Sequence, residues 1–293
     1  MISEPEVLLS ITMLRPDEAA LVQAFRDHDL PVRIARNEDL AEVVSQRTGL
    51  PGLAVIRNLS HRDAVSVARR LEILGVRVVN RPSAIEVCND KGLQALVFDR
   101  HGVPHPLSRH AFSYEQVRSA VADTGYRAVV KPISGSWGRG VSRLLDADSL
   151  EAWIGGRESA DAAGKLFPVL VQEYIDKPGY DLRVIVVGRS PVVAIQRISD
   201  HWRTNTHLGA EVKRVDITPE IADLCDRTVA VLGAGFYGVD LLADRTTGHM
   251  KVLEVNANPE FTRSALIHGV DVAGQLAAYL AGRVRAESAA IAG

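Results

Sequence analysis

The sequence predicts an α/β protein in three parts, with a parallel-sheet unit first and two β-rich parts after it. Three observations carry this. Residues 1–80 alternate short apolar runs with amphipathic segments, the pattern turns β-rich from Leu107 onward, and Gly238–Phe261 reads GVDLLADRTTGHMKVLEVNANPEF. In that last stretch two apolar runs, Val239–Ala243 and Met250–Val255, flank a polar segment with turn residues, the pattern of a β-hairpin.

At 293 residues the chain is long enough for two or three compact domains with real cores. A formal charge of −2 gives no basic field for nucleic acid or an anionic membrane. Only Cys88 and Cys225 occur, in no metal-type spacing, which fits a reducing cytosol. The N-terminus has neither a basic nor an apolar leader region, and no run of about 20 apolar residues exists to span a membrane. The expectation is a soluble cytoplasmic protein.

In chain order, Val7–Ile11, Val32–Ala35, Ala54–Arg57 and Val76–Val79 read as strands, with helices over Asp17–His28 and His61–Leu74. Strands alternating with helices give a parallel sheet. Arg57 and Asn58 follow a strand end, where open α/β sheets place ligand sites, although a solvated loop arginine fits equally well. Ser83–Glu86 has capping-box spacing, and Asp90–Arg100 reads as a helix stopped by Gly102 ahead of Pro104 and Pro106. Strands follow at Tyr126–Pro132, Gly140–Leu144, Val169–Tyr174, Asp181–Val187 and Val192–Arg197, with helices over Glu115–Ala122 and Ser149–Ile154 and a loop over Gly155–Lys165. Thr218 opens a helix whose Ile221, Leu224, Thr228, Val229 and Leu232 share one face. Val272–Arg285 is the last helix and residues 286–293 a frayed tail. The expected boundaries are 1–88, 89–175 and 176–293.

Folding the hairpin about Thr247 sets Asp240 opposite Glu254, give or take one residue. Glu254 and Asn256 are two apart and share a strand face, leaving Leu241, Leu253 and Val255 for the other. Three oxygen-bearing side chains then converge, and an all-oxygen set suits a hard cation such as Mg²⁺, whose shell is completed by water and phosphate. A hairpin with polar ends is the plain alternative.

The phosphate side of such a site is legible at Lys131, at the end of the apolar strand Tyr126–Pro132, followed by Ser134-Gly135-Ser136-Trp137-Gly138-Arg139-Gly140. Glycines let successive backbone N–H groups turn inward on an anion, and the lysine adds a point charge. With only six lysines in the chain, one set in an apolar strand stands out. Lys91, opening its helix, is a second phosphate candidate. By contrast Gly233-Ala-Gly235-Phe-Tyr-Gly238 matches a dinucleotide fingerprint in the wrong order: a helix precedes it and a strand follows, so it reads as a helix cap and turn.

Lys131 with its glycine loop, then Gln172–Ile175, then Asp240, Glu254 and Asn256 resemble, in this order, the ATP-grasp carboxylate–amine ligases. Lys177–Val184 (KPGYDLRV) and Ser199–Thr206 (SDHWRTNT) narrow the resemblance to the RimK-related ligases of amino-group carrier proteins, the LysX/ArgX family. It runs from about Asn80 to Gly274. It implies an ATP-grasp fold, with ATP sandwiched between two β-rich subdomains behind an N-terminal sheet domain. It implies ATP and Mg²⁺ (or Mn²⁺) as cofactors, a small acidic carrier protein and an amino acid as partners, and a homodimer or homotetramer. Lys91, Lys131, Gly135, Ser136, Gly138, Gln172, Glu173, Ile175 and Asp181 would bind the nucleotide, and Asp240, Glu254 and Asn256 the metal. Arg197 and Arg203 would stabilise an acyl phosphate and its oxyanion, with Asn205 orienting phosphate or metal.

This chain has Asn256-Ala-Asn258-Pro-Glu260-Phe261 where such ligases commonly have Asn-His-Thr-Met-Glu-Phe, and Thr262-Arg263-Ser264 where they have Lys-Asn-Ser. The substrate loop implied by the resemblance is Asn258, Glu260, Phe261, Arg263 and Ser264, with Arg263 suited to grip a carboxylate through its planar fork. The amino acid, whether α-aminoadipate, glutamate or another, stays open at this point. Two competing readings are a RimK-like ligase adding glutamate to a protein or peptide C-terminus, and a nucleotide-binding regulatory protein without turnover. A metal hydrolase built on His201 and His207 has no usual ligand spacing behind it.

Overall fold

A computed structural model describes residues 6–45, 49–135, 138–160, 166–204 and 209–292. Three sheets make up its frame. The first is parallel, ordered β2-β1-β3-β4, from β1 (Val7–Ile11), β2 (Val32–Arg36), β3 (Leu53–Arg57) and β4 (Arg77–Val79). Every residue of β1 and of β3 is buried, as expected of parallel strands covered on both faces. The covering helices are α1 (Pro16–Asp27), α2 (Leu40–Ser45) and α3 (His61–Ile73). Ser60 caps α3 by accepting the Asp63 N–H, and Ala64, Val67, Ala68 and Leu71 fall on its buried face at helical spacing. The six-residue α2, with Leu40 and Val43 buried, is too short to establish a period in the sequence.

Two helices follow, α4 (Pro82–Asn89) and α5 (Lys91–His101). Pro82 occupies the first turn of α4 with Arg81 at its N-cap, so the helix starts a residue before the expected capping box and Ser83 does not cap it. Asp90 caps α5 through the Leu93 N–H.

The second sheet is antiparallel, ordered β5-β8-β6-β7, from β5 (Ser108–Ala111), β6 (Ala128–Pro132), β7 (Ser142–Leu144) and β8 (Val169–Glu173), with α6 (Tyr114–Asp123) and α7 (Ala147–Ala160) packed on it. Here α7 runs on through Gly155 and Gly156 to Ala160, where a loop was expected. Packing of Leu150 and Ile154 into the core carries the helix past residues of poor intrinsic propensity.

The third sheet, also antiparallel, is ordered β11-β10-β9-β12-β13. Its strands are β9 (Tyr180–Gly188), β10 (Ser190–Ile198), β11 (Glu211–Val215), β12 (Gly235–Ala243) and β13 (Met250–Asn256). Alternate residues of its centre feed two cores. Ile185, Val187 and Phe236 pack toward α1 and the C-terminal α10 (Val272–Ala292), while Val184, Val186 and Tyr237 pack toward α8 (Pro219–Leu232). Thr218 caps α8 and Gly233 ends it, so the glycine-rich stretch is a helix stop leading into a strand, as its order indicated. Helix α10 extends to Ala292, past the expected tail, and α9 (Thr262–His268) links it to the hairpin.

Hairpin β12–β13 pairs Asp240 with Glu254, and then a bulge shifts the register so that Leu241 meets Val252. The extra residue is Leu253. A bulged strand sets two residues against one and turns its side chains, so Val252 and Val255 enter the core while Leu253, expected there, lines the cleft instead. Among the described residues no helix is long and apolar enough to cross a membrane.

Candidate active site

A cleft of about 680 Å³ opens between the second and third sheets and reaches the C-terminal ends of the first, a volume within the ordinary range for a small-molecule site. Lys131 enters it from β6. Its ammonium is buried and donates to Gln172 Oε1 at 2.8 Å, and Gln172 Nε2 donates in turn to Ser108 Oγ at 3.0 Å. Burial outweighs the pull of Glu254 and pushes the Lys131 pKa from 10.5 down to about 8. Lys91 stands alongside, 3.1 Å from Glu254 Oε1 and donating to the Gly135 carbonyl at 2.7 Å.

A charge lattice on the third sheet faces these lysines. Asp240 is gripped by the Arg183 guanidinium and lies 3.1 Å from Arg197 Nη2, while Arg197 Nε donates to Asp181 at 2.6 Å. Burial alone would raise the Asp240 pKa, but the charges of Arg183 and Arg197 hold it below the ordinary carboxylate value. The second oxygen of Asp181 takes the Thr204 hydroxyl and faces Lys177 at 3.5 Å. Opposite, a ladder of alternating cations and rings joins the second sheet to the segment after β10: Arg143 lies 5.3 Å from the Tyr174 ring and 5.4 Å from the Trp202 ring, and Arg203 lies 5.6 Å from Trp202. Arg203 also donates to the Gly138 carbonyl at 3.1 Å, while its buried Nε has no hydrogen-bond partner among the described residues.

At the far end, the loop after β13 is pinned from the first sheet. Arg57 is fully buried, donates to Glu18 and to the Pro259 carbonyl, each at 2.9 Å, and sits about 6 Å from the rings of Phe236 and Phe261. It is neither a ligand nor a solvated loop residue. Asp17 accepts the Phe261 and Thr262 N–H groups at 3.1 and 2.8 Å and so caps α9.

A family model described as a RimK-like ATP-grasp domain matches residues 88–280. The chain belongs to that family. It is 31% identical over 225 residues to the α-aminoadipate–LysW ligase LysX of Sulfurisphaera tokodaii, covering 76% of this chain and 78% of the relative. It is 28% identical over 276 residues to the glutamate–LysW ligase ArgX of the same organism, covering 94% and 97%. Among solved structures, a RimK domain ATP-grasp protein from Sphaerobacter thermophilus aligns with a TM-score of 0.74 at 26% identity, over 94% of this chain and 98% of that one.

In this ATP-grasp protein the residues singled out by sequence fall into four groups. Lys91, Lys131, Gly135, Gly138, Gln172, Glu173, Ile175, Arg203, Glu254, Asn256, Asn258, Glu260 and Arg263 all line the cleft. Asp181, Arg197 and Asp240 line it too, but their charges are spent on one another and on Arg183, so they form a braced wall. The Glu173 carboxylate pairs with Lys251, and its backbone N–H donates to the Leu107 carbonyl at 2.8 Å. Phe261 and Ser264, expected at the substrate, are in the core at 2% and 3% exposure; Phe261 packs on Phe236, and neither lines the cleft. Ser136, Asn205 and His207 lie outside the described residues. The ring of His201 accepts the Arg203 N–H at 3.0 Å, a local turn contact.

Sequence reasoning missed Arg15, His61 and the Tyr174–Arg143–Trp202 ladder. His61, at the start of α3, lines the cleft, and burial followed by the nearby Lys91 charge lowers its pKa. Position after the end of β3 was the one available signal for it, the same signal that marked Asn58.

Proposed function

We propose that this protein is an ATP-dependent ligase joining the α-amine of an amino acid to the C-terminal glutamate side chain of a small acidic amino-group carrier protein. The observation that carries the reading is that Lys131 and Lys91 face Glu254 and the Asp240 lattice across one cleft. Donors for a triphosphate and acceptors for a cation thus meet within it. ATP phosphorylates the carrier carboxylate, ADP leaves, and the amine attacks the acyl phosphate and expels phosphate. Phosphorylation is needed because a free carboxylate is a poor electrophile.

Glu254, Asn256 and Asp240 are an all-oxygen donor set on one strand pair, which fits Mg²⁺ or Mn²⁺. Bound there, the metal would neutralise charge on the β- and γ-phosphates. Among the described residues Glu254 pairs with Lys91 alone and is the ligand nearest to hand, whereas Asp240 is held by two guanidiniums and would serve after they shift. The unpartnered Arg203 Nε is a donor for the transferred phosphoryl group or the oxyanion.

At the amino-acid end, Asn258 donates to the Asn58 carbonyl at 3.2 Å, and its buried Oδ1 has no partner. An ammonium supplies the missing donor. Arg263, exposed at the cleft, takes the substrate carboxylate. LysX and ArgX, by name, act on α-aminoadipate and glutamate with LysW, and this chain is expected to take a related acidic amino acid.

Incubating the protein with a purified carrier, ATP and an amino-acid panel tests the reading. Release of ADP with a single-residue mass gain on the carrier is expected. Repeated additions would point to a tail-adding glutamate ligase, and no ADP with any pair would reject ligation.

The buried lysine gives this site a pH signature. With its pKa lowered to about 8 in the free protein, Lys131 loses its charge as pH rises through 8. The log of kcat/KM for ATP is expected to fall with slope about −1 above pH 8, because that ratio reports ionisation of free enzyme. Lys131→Arg, which stays charged, removes the inflection. Stability moves the other way. Between pH 8 and 10.5 the unfolded chain binds more protons at this position than the folded one, so unfolding free energy rises across that window.

A further inference from the structure

We propose that Asn58 is a positioning residue: held by a directed chain of amides in the first sheet, it turns the Asn258 side chain so that its oxygen accepts from the substrate amine. The inference rests on the ligase reading only in taking Asn258 as the acceptor for that amine. It starts from an anomaly in the core. Ser10 is the one polar residue of β1 and is wholly buried, and Asn58, just past the end of β3, is 3% exposed. Apolar side chains would fill this space at less cost, because a buried polar group loses its water and must have its bonds made good.

Here the bonds are made, and in one direction. Ser10 Oγ donates to Asn58 Oδ1 at 2.8 Å, Asn58 Nδ2 donates to Asn37 Oδ1 at 2.8 Å, and Asn37 Nδ2 donates to Asp63 Oδ2 at 3.2 Å. A carboxylate only accepts, so Asp63 fixes which way the Asn37 amide points, and Asn37 fixes Asn58. With both ends of its amide held, Asn58 presents its backbone carbonyl along one line. Asn258 Nδ2 donates to that carbonyl at 3.2 Å. A carbonyl also only accepts, so the Asn258 nitrogen must take this side and Oδ1 the other. Oδ1 is buried and without a partner among the described residues, on a side chain that lines the cleft. The backbone on either side is secured separately, since Asn80 donates to the Ala257 carbonyl at 2.8 Å and Arg57 to the Pro259 carbonyl at 2.9 Å. Asn58 therefore sets the rotation of one side chain, not the path of the loop. An acceptor held in this way discriminates for a ligand N–H.

Calorimetric titration of the full chain, saturated with ADP and Mg²⁺, tests this with two matched pairs of probes: L-glutamate against glutarate, and L-α-aminoadipate against adipate. Within a pair the amine is the one difference. In at least one pair the wild type is expected to bind the amino acid about tenfold or more tighter than the diacid, the scale of one hydrogen bond to a charged group. Ser10→Ala/Asn58→Leu replaces both buried partners with apolar groups, an exchange that largely spares stability. It is expected to cut the preference to about threefold or less while changing diacid affinity less than about twofold. A merely structural role would weaken both members of a pair alike. Asn37→Ala, at an exposed position, guards against misfolding of the double variant and is expected to reduce the preference by about half or more. No amine preference in the wild type, a preference kept in the variants, or diacid affinity lost in step with it would overturn the assignment. An amine preference without ADP release from any carrier and amino-acid pair would reject ligation and leave the role of Asn58 standing.

Discussion

Glu254→Gln is expected to lower ligase turnover by about 10²–10³-fold while leaving the fold intact, the scale seen when one electrostatic stabiliser of a reaction is removed. The exchange keeps the side chain's shape and removes one negative charge from the cation-binding face. Its ion pair with Lys91, at 3.1 Å, is partly solvated, and such pairs contribute about 0–1 kcal/mol. Thermal unfolding should therefore hardly move, and the loss should appear in ADP release at saturating Mg²⁺. Asp240→Asn makes an instructive contrast. It takes from Arg183 its acid partner and from Arg197 one of its two, leaving Asp181 alone on Arg197, so it costs stability as well as activity. Turnover of Glu254→Gln within threefold of wild type would remove Glu254 from the metal site.

Arg57→Met is expected to be the most destabilising single exchange at this end of the molecule, by about 3–5 kcal/mol, the scale for breaking a buried ion pair, with Arg15 left as the one cation on Glu18. Arg57 is 2% exposed and its acid partner Glu18 is wholly buried. Burial pushes the Glu18 carboxyl up, but Arg15 and Arg57 outweigh it and hold the group below its ordinary value. That contribution is present above the unfolded-state pKa of Glu18 and is lost as pH falls through the depressed folded one. Methionine keeps much of the volume between Phe236 and Phe261 but returns nothing to Glu18 or the Pro259 carbonyl. At about 2–4 °C per kcal/mol for a domain of 150–250 residues, the melting temperature should drop by roughly 6–20 °C. The loop after β13 loosens with it, so KM for the amino acid should rise in whatever protein remains folded. A melting temperature within 2 °C of wild type would show that the clamp contributes little.

The fold was legible where periodicity is strong. β1 was read to the residue and α3 to within one, because β1 is an apolar run broken only by Ser10 and α3 shows one clean buried stripe. Segments whose structure depends on distant partners were not legible. The six residues of α2 are too few to set a period, the polar β11 gave no pattern, and α7 continues through two glycines only because its first half is anchored in a core. At the site, the pairing of Asp240 with Glu254 followed from hairpin arithmetic, yet nothing local announced the bulge that turns Leu253 into the cleft. Lys131 could be picked out because lysines are scarce and strands rarely carry them. Side chains whose positions depend on contacts made far along the chain, such as Arg15 against Glu260 or Arg143 between Tyr174 and Trp202, had no local signature. Phe261 and Ser264 show the limit of motif transfer, since both sit inside the motif while their side chains serve the core.

The clamp at Arg57 bears on what counts as a unit of inheritance here. The family domain begins at residue 88, yet Asp17, Glu18, Arg57 and Asn80 all lie upstream of it and secure backbone that lies inside it. Leu276 and Leu280 of α10, both wholly buried, belong to the same core as Leu21 and Phe25, and each would give up roughly 1.5–3 kcal/mol if bared to water. A gene fragment encoding only the recognised module would thus lack its own foundation. Recombination that grafted a foreign first sheet onto it would have to preserve this buried arginine and its two acids together.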